Sequence, residues 1–244
     1  MKYITPPIVE VVCEFRFIPS KPWDITVPGL LYEKIKKEFP NKEQKNVFDI
    51  GIERKVSGIE HKVESSQRMF FYSADRRALV QVGRDVLAVN HFKPYPTWNN
   101  LKPKILQNLE RYRQVVEPKG FKRIGLRYIN KLEFEKTKIK LSDYLNIYPQ
   151  IPEELNEGQN IFTTRIEIPY ENRRDLLRII LSRKILENQN TYSYFFDLDY
   201  FMDKSSKITI AGANKWIEDA HNKIENSFEA CITDNCRTLF MKEK

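Results

Sequence analysis

The chain has 244 residues, 41% of them hydrophobic and 12% aromatic, which excludes a disordered chain and allows one large domain or two small fused ones. The net charge is +8, with 21 Lys and Arg against 14 Asp and Glu in residues 1–120 and 20 against 19 in residues 121–244; the signs interleave, so weak polyanion affinity is allowed but no dedicated basic tract exists. No apolar run approaches the roughly 20 residues of a membrane-spanning helix, and MKYITPPIVEVV reads as no secretory signal, so a cytoplasmic location without membrane attachment is expected.

PIVEVVCEFRF alternates, with Val9, Val11, Cys13, Phe15 and Phe17 on one face and Glu10, Glu14 and Arg16 on the other. Period two over this length predicts a half-buried strand, bounded by Pro6 and Pro7 before and by Pro19 and Pro22 after. PGLLYEKIKKEFP predicts a short helix with Leu31, Ile35 and Phe39 inward and Pro40 as its stop. VFDIGIERKV, RMFFYS, ALVQVG and VLAVNHF are further strands, with turns at SADRR and GRD. In GRD, Gly83 is expected to supply a positive φ and Asp85 to bond turn amides. Along VLAVNHF, Val86, Ala88, Asn90 and Phe92 share one face and Leu87, Val89 and His91 the other, so Asn90 and His91 cannot act on one substrate atom. KPYPTW leaves in extended form. Thr97 or a neighbour then caps a helix carrying Trp98, Leu101, Ile105, Leu109, Tyr112 and Val116 on one stripe. Pro103 is awkward inside a helix, so the regular part is expected to begin near it, with Trp98 on a preceding turn.

The second half runs in a similar order. RIGLRYINKLEF places Ile124, Leu126, Tyr128, Leu132 and Phe134 on one face and Arg123, Arg127, Lys131 and Glu133 on the other. LSDYLNIYP is a short helix or turn, IFTTRIEIPY, DLLRIILSRKI and TYSYFFDLDYFM are strands, and NKWIEDAHNKIENSFEACI is a helix with Trp216, Ala220, Ile224, Phe228 and Cys231 on one side. The expected fold class is α+β: two similar units, each strand, helix, antiparallel strands, helix, related by a pseudo-twofold duplication, with the long helices packed on the sheets. The units are residues 1–120 and 121–244, fused and sharing a core. Their first strands are expected side by side, with Glu10 and Glu14 facing Arg123 or Arg127 across the pair.

Taken in order, PPIVEVVCEFRF, the PG before the first helix, LVQVGRDVLAVNHFKPYPTW, IGLRYIN, LDYF and AHNKIENSFEACITD resemble a sporadically distributed, largely uncharacterised bacterial protein family of about this length. The resemblance covers nearly the whole chain. It implies an architecture rather than an enzymatic activity, and the patchy distribution of the family implies a link to antiviral defence, including CRISPR-associated accessory proteins.

Candidate chemistry is thin. Asp197, Asp199 and Asp203, with Glu133, Glu135 and Lys136, supply the carboxylates and lysine of a metal-dependent nuclease. Yet Asp197 and Asp199 alternate with Phe196, Leu198 and Tyr200, as the polar face of a strand does, and no metal site or cofactor is expected. Cys13 lies on an apolar strand face. Cys231 and Cys236 lack metal-ligand spacing, so reduced structural thiols are expected. His61, His91 and His221 are scattered, and no GxSxG, phosphate-loop or dinucleotide signature occurs. A nucleic-acid reading rests on Arg76, Arg77 and Arg84 near Tyr95 and Trp98, joined by Arg123, Arg127, Lys131, Arg173, Arg174, Arg178 and Arg183. Most of these arginines alternate with core residues and have acidic neighbours. The reading favoured is a non-catalytic, protein-binding or regulatory accessory protein whose partner is the product of a neighbouring gene. Its partner-binding residues are Arg84, Tyr95, Trp98 and Arg127, since Tyr, Trp and Arg dominate binding hot spots. Single-stranded RNA or DNA binding is the alternative, and a metal-dependent nuclease is favoured less.

Overall fold

The alternation of IVEVVCEFRFI becomes strand β1 (Ile8–Ile18), and the chain is built outward from it. A computed structural model describes residues 3–55, 58–134, 139–150, 152, 154, 161–183, 192–202 and 204–241, without the side chains of 48–64 and 192. After β1 come helix α1 (Val27–Ile35) and the strands β2 (Asn41–Lys55), β3 (Gly58–Tyr72), β4 (Ala78–Gly83) and β5 (Val86–Phe92). Helix α2 (Trp98–Val116) leads to β6 (Gly120–Phe134), then β7 (Phe162–Tyr170), β8 (Asp175–Arg183) and β9 (Tyr192–Met202). Helices α3 (Ala213–Cys231) and α4 (Asp234–Thr238) follow.

The nine strands of the described residues lie in a single antiparallel sheet of order β2-β3-β4-β5-β1-β6-β9-β8-β7. This corrects the expected architecture of two duplicated α+β units. The fold is mostly sheet with a few helices packed on it, and the pseudo-twofold duplication is not found. The first half contributes five strands and the second four, and where the first half has α1 the described residues of the second half include a 3-10 turn at Leu141–Asp143. Each half runs a meander ended by a helix, and that shared order of elements does not by itself establish a duplication. The pairing of the two first strands is nevertheless present: β1 runs antiparallel to β6 from Ile8↔Asn130 to Ile18↔Gly120, which merges both meanders into one sheet.

The helices cover one face. Val11, Cys13, Phe15 and Phe17 of β1, Leu87 and Val89 of β5, and Leu126 and Tyr128 of β6 are buried beneath them. Phe17 stacks on Tyr112 of α2 with ring centroids 4.6 Å apart, while Phe196 and Tyr200 of β9 meet Phe228 and Trp216 of α3 at 5.9 and 5.7 Å. Each such buried aromatic contributes about 1.5–3 kcal/mol relative to exposure.

Two local expectations change. Helix α2 begins at Trp98 and takes Pro103 into its body. The first four helical N–H groups lack intrahelical partners in any case, so a proline just beyond them forfeits a single bond, and the buried stripe Trp98, Leu101, Ile105, Leu109 and Tyr112 holds the turn in place. In the GRD turn the positive φ, 56°, belongs to Asp85 rather than Gly83, and the Asp85 carbonyl accepts from the Phe17 amide at 2.8 Å. Gly83 answers a different need, since a Cβ there would sit 2.9 Å from Cγ of Arg68. No helix among the described residues is long and apolar enough to cross a membrane.

Candidate functional site

The segment KPYPTW does not leave β5 in extended form as expected: it bends at a cis Lys93–Pro94 peptide and enters α2 through Thr97 at a positive φ of 73°, and that path sets Tyr95 and Trp98 beside α3. Both line an open cleft of about 420 Å³, within the usual range of about 300–1,000 Å³ for small-ligand sites. Its floor is Tyr128 and Asn130 of β6, its far wall is His221, Ile224, Glu225 and Phe228 of α3, and its rim is the segment Tyr3–Ile8.

The walls are fixed by a short polar network. The Trp98 indole stacks on His221 with centroids 4.2 Å apart and 14° between planes, and its Nε1 donates to Glu218 at 3.0 Å. Lys102 also reaches Glu218, at 2.8 Å. The Tyr128 hydroxyl lies 2.9 Å from His221 Nδ1 and 3.2 Å from the Tyr95 hydroxyl. Burial lowers the His221 pKa below the ordinary 6.5, against the pull of Glu225 and Glu218. Burial also pushes Tyr95 up to about 12 and Tyr128 well above its ordinary value, and the negative charge of Glu225 adds to both. With the imidazole neutral, Nδ1 can accept from Tyr128 and the Tyr128 oxygen from Tyr95. At the rim Tyr3 donates to Glu229 at 2.5 Å, and Arg237 holds the other oxygen of that carboxylate at 2.9 Å.

The opposite face of the sheet, away from the helices, carries the charged residues. Arg68 of β3, Glu14 of β1, Arg123 of β6, Asp199 of β9 and Arg178 of β8 form a chain of ion pairs running across the strands, at 3.7, 3.2, 2.9 and 3.6 Å in turn. Small residues clear its path. Gly83 leaves room for Arg68, and a Cβ on Gly125 would meet Arg123 Nη1 at 2.6 Å. Burial pushes the Glu14 carboxyl up, but Arg16, Arg123 and Arg68 together hold it below the usual carboxylate range. Beside this chain Gln81 donates to Asn90 at 3.0 Å, Asn90 donates to Glu10 at 2.6 Å, and Arg127 Nε donates to Asp197 at 2.8 Å.

Of the residues singled out from sequence, Tyr95 and Trp98 are brought together in the cleft. Arg127 is not: it lies on the charged face, bound to Asp197. Arg84 is exposed in the turn between β4 and β5. Asp197 and Asp199 are both buried and both engaged by arginine, and Glu133 pairs with Lys131 at 2.7 Å. Asp203, Glu135 and Lys136, and the side chain of His61, lie outside the described residues. Among the described residues no three His, Cys, Asp or Glu side chains are placed to hold a metal ion. Asn90 and His91 do point to opposite faces, His91 Nδ1 lying 2.7 Å from the Phe92 carbonyl. Sequence reasoning missed His221 and Tyr128 as site residues. Tyr128 sits on an apolar alternation and His221 beside an apolar helical stripe, so both carried only a packing signal. No family model matches the chain, and no curated protein matches it.

Proposed function

We propose that the protein is a non-catalytic accessory subunit that holds a segment of a partner protein in the aromatic cleft. One observation carries this reading: Tyr95 and Trp98, the two aromatics picked from sequence as binding residues, line the same open cleft as Tyr128 and His221. Aromatic walls with a few fixed polar groups favour an apolar side chain, and Glu225 beside them favours a basic group next to it. The likeness of the quoted sequence blocks to a sporadically distributed bacterial family supports a setting in an antiviral-defence, CRISPR-associated assembly, with the partner encoded by a neighbouring gene. Three free cysteines, two of them buried, suit a reducing cytoplasm.

The test is co-purification with the products of adjacent genes, using wild type, Ile4→Glu, Tyr95→Ala and Glu225→Lys. Ile4 is 58% exposed, so its replacement leaves the core untouched. Retention by wild type and loss by all three variants is the expected result; a well-folded wild type that retains no neighbour product refutes the reading.

The charged face favours a second reading, single-stranded RNA or DNA binding. There several arginines stand outside their carboxylates, Arg127 at 44% side-chain exposure over Asp197 at 10% and Arg16 at 38% over Glu14 at 18%, whereas Arg68 is buried. Under that reading short oligonucleotides bind in a strongly salt-dependent way, because phosphate contacts release counterions, and Arg127→Ala weakens the binding while Tyr95→Ala does not.

A further inference from the structure

Among the described residues, strand β7 is the last strand of the sheet. It pairs with β8 from Phe162↔Arg183 to Tyr170↔Asp175 and stands at the end of the strand order. Residues Arg165 to Pro169 are all exposed. Ile166 and Ile168, with Ile161 just before the strand, are three of the seven large hydrophobic residues exposed on the described surface. An edge of this kind offers unpaired backbone donors and acceptors as well as apolar side chains to an incoming strand.

Pro169 shows which backbone groups point outward. A proline is accommodated in a ladder where its missing N–H faces away from the neighbouring strand. Pro169 lies opposite Leu176 of β8, so the odd-numbered residues Thr163, Arg165 and Glu167 turn their N–H and C=O groups to the free side.

A single charge type on an edge strand repels a second copy of the same strand. The sequence TTRIEIPY does not do this in every register. An identical strand laid antiparallel about a two-fold axis perpendicular to the sheet must set residues of the same face opposite each other, so the axis passes through a residue. An axis at Arg165 opposes two arginines, and an axis at Glu167 opposes two glutamates. An axis at Ile166 places Arg165 opposite Glu167 of the second copy and Glu167 opposite its Arg165. Ile166 then meets itself, Thr164 meets Ile168, and Phe162 meets Tyr170. The outward-facing residues fall into hydrogen-bonded pairs, and the sole bond lost on each side is the one the proline cannot donate. Within the chain Glu167 already accepts from Arg165 at 2.5 Å and Arg178 at 2.8 Å through one oxygen, Oε1.

We propose that the chain pairs with a second copy of itself through β7, continuing the nine-stranded sheet across a two-fold axis at Ile166. The contact is isologous, as in most closed dimers.

Size-exclusion chromatography with light scattering over a concentration series tests this. Wild type is expected to reach twice the chain mass of 29.1 kDa. Glu167→Arg and Arg165→Glu, each of which opposes like charges across the axis, are expected to remain monomeric. The double variant Arg165→Glu, Glu167→Arg exchanges the charges and is expected to regain the dimer, while circular dichroism reports that all four chains are folded. A monomeric wild type throughout the series overturns the proposal. So does a dimer indifferent to both single changes, and so does a double variant that stays monomeric when the singles are.

Discussion

Gly125 shows how a missing side chain can place a charged one. Arg123 lies over Gly125 and reaches Glu14 on one side and Asp199 on the other. Gly125→Ala would put a methyl group 2.6 Å from the guanidinium, which must then shift and loosen its bonds to Glu14 and Asp199, leaving Arg16 on the one and Arg178 near the other. A loss of about 0.5–1.5 kcal/mol is expected, read as a lower urea midpoint with an unchanged slope. In an Arg123→Met background the same change is expected to cost much less, because nothing charged is displaced. His221 carries a second expectation at this scale. Burial holds its folded pKa below 6.5, so the unfolded chain takes up the proton first as the pH falls. Stability from this group is complete above the ordinary value of about 6.5 and is lost as the pH drops from there through the lower folded value. His91, also lowered by burial, acts in the same direction. The carboxylates of half-buried Glu10 and buried Asp199 are raised instead by burial and oppose the trend at lower pH. Thermal melts between about pH 5.5 and 7.5 should therefore show a rising melting temperature, and His221→Gln, which keeps an acceptor for Tyr128, should flatten the rise without removing it.

At the scale of the element, what could be read from sequence was the face each residue occupies. The alternation in β6 separated Leu126 and Tyr128 from Arg123 and Arg127, and they lie on opposite sides of the sheet as expected. The stripes of α2 and α3 were legible for the same reason, because period and burial are local properties. Strand order was legible only at the β1–β6 pairing. A strand's own residues record which face is buried but not which neighbour it bonds, so a nine-stranded sheet read as two duplicated units whose sheets meet. The cleft was legible only in part, because KPYPTW announces Tyr95 and Trp98, whereas Tyr3, Tyr128 and His221 arrive from distant segments with nothing beyond a packing pattern. Likewise Asp197 and Asp199 gave the same alternating pattern that a catalytic pair would give, and only the coordinates pair Arg127 with Asp197. That pairing has a cost when broken. Arg127→Ala leaves the Asp197 carboxylate nearly buried without its guanidinium, and a loss of about 1–3 kcal/mol is expected, below the value for a fully buried pair because Arg127 is partly solvated. Arg127→Ala combined with Asp197→Ala should recover much of it, since no uncompensated charge remains. Denaturant unfolding of the two variants checks both statements.

For the whole molecule the decisive feature is the seam between β1 and β6. These strands come from opposite halves of the chain, and their pairing holds the sheet together at its middle. The aromatic packing crosses the same seam: Phe121 lies 5.7 Å from Phe15 and 5.5 Å from Phe17, ring centre to ring centre, and Glu14 meets Arg123 above it. A chain cut after Pro118 would leave the first fragment with a bare β1 edge and an uncovered Phe15 and Phe17, and the second with a bare β6 edge. Exposed, apolar strand edges aggregate, and each fragment would forfeit a share of the common core. Residues 1–118 expressed alone are therefore expected to be insoluble or to melt without cooperativity, and so are residues 119–244. Co-expressed, the two fragments should assemble into a soluble complex that co-purifies through a tag on either one, because every contact that defines the seam is non-covalent. A fragment that unfolds cooperatively on its own would mean that its half carries a self-sufficient core and that the seam is a docking surface between domains. The seam is then expected to respond to salt through Glu14 and Arg123, whereas a shared core held by Phe15, Phe17 and Phe121 is indifferent to it, so the salt dependence of fragment assembly separates the two arrangements.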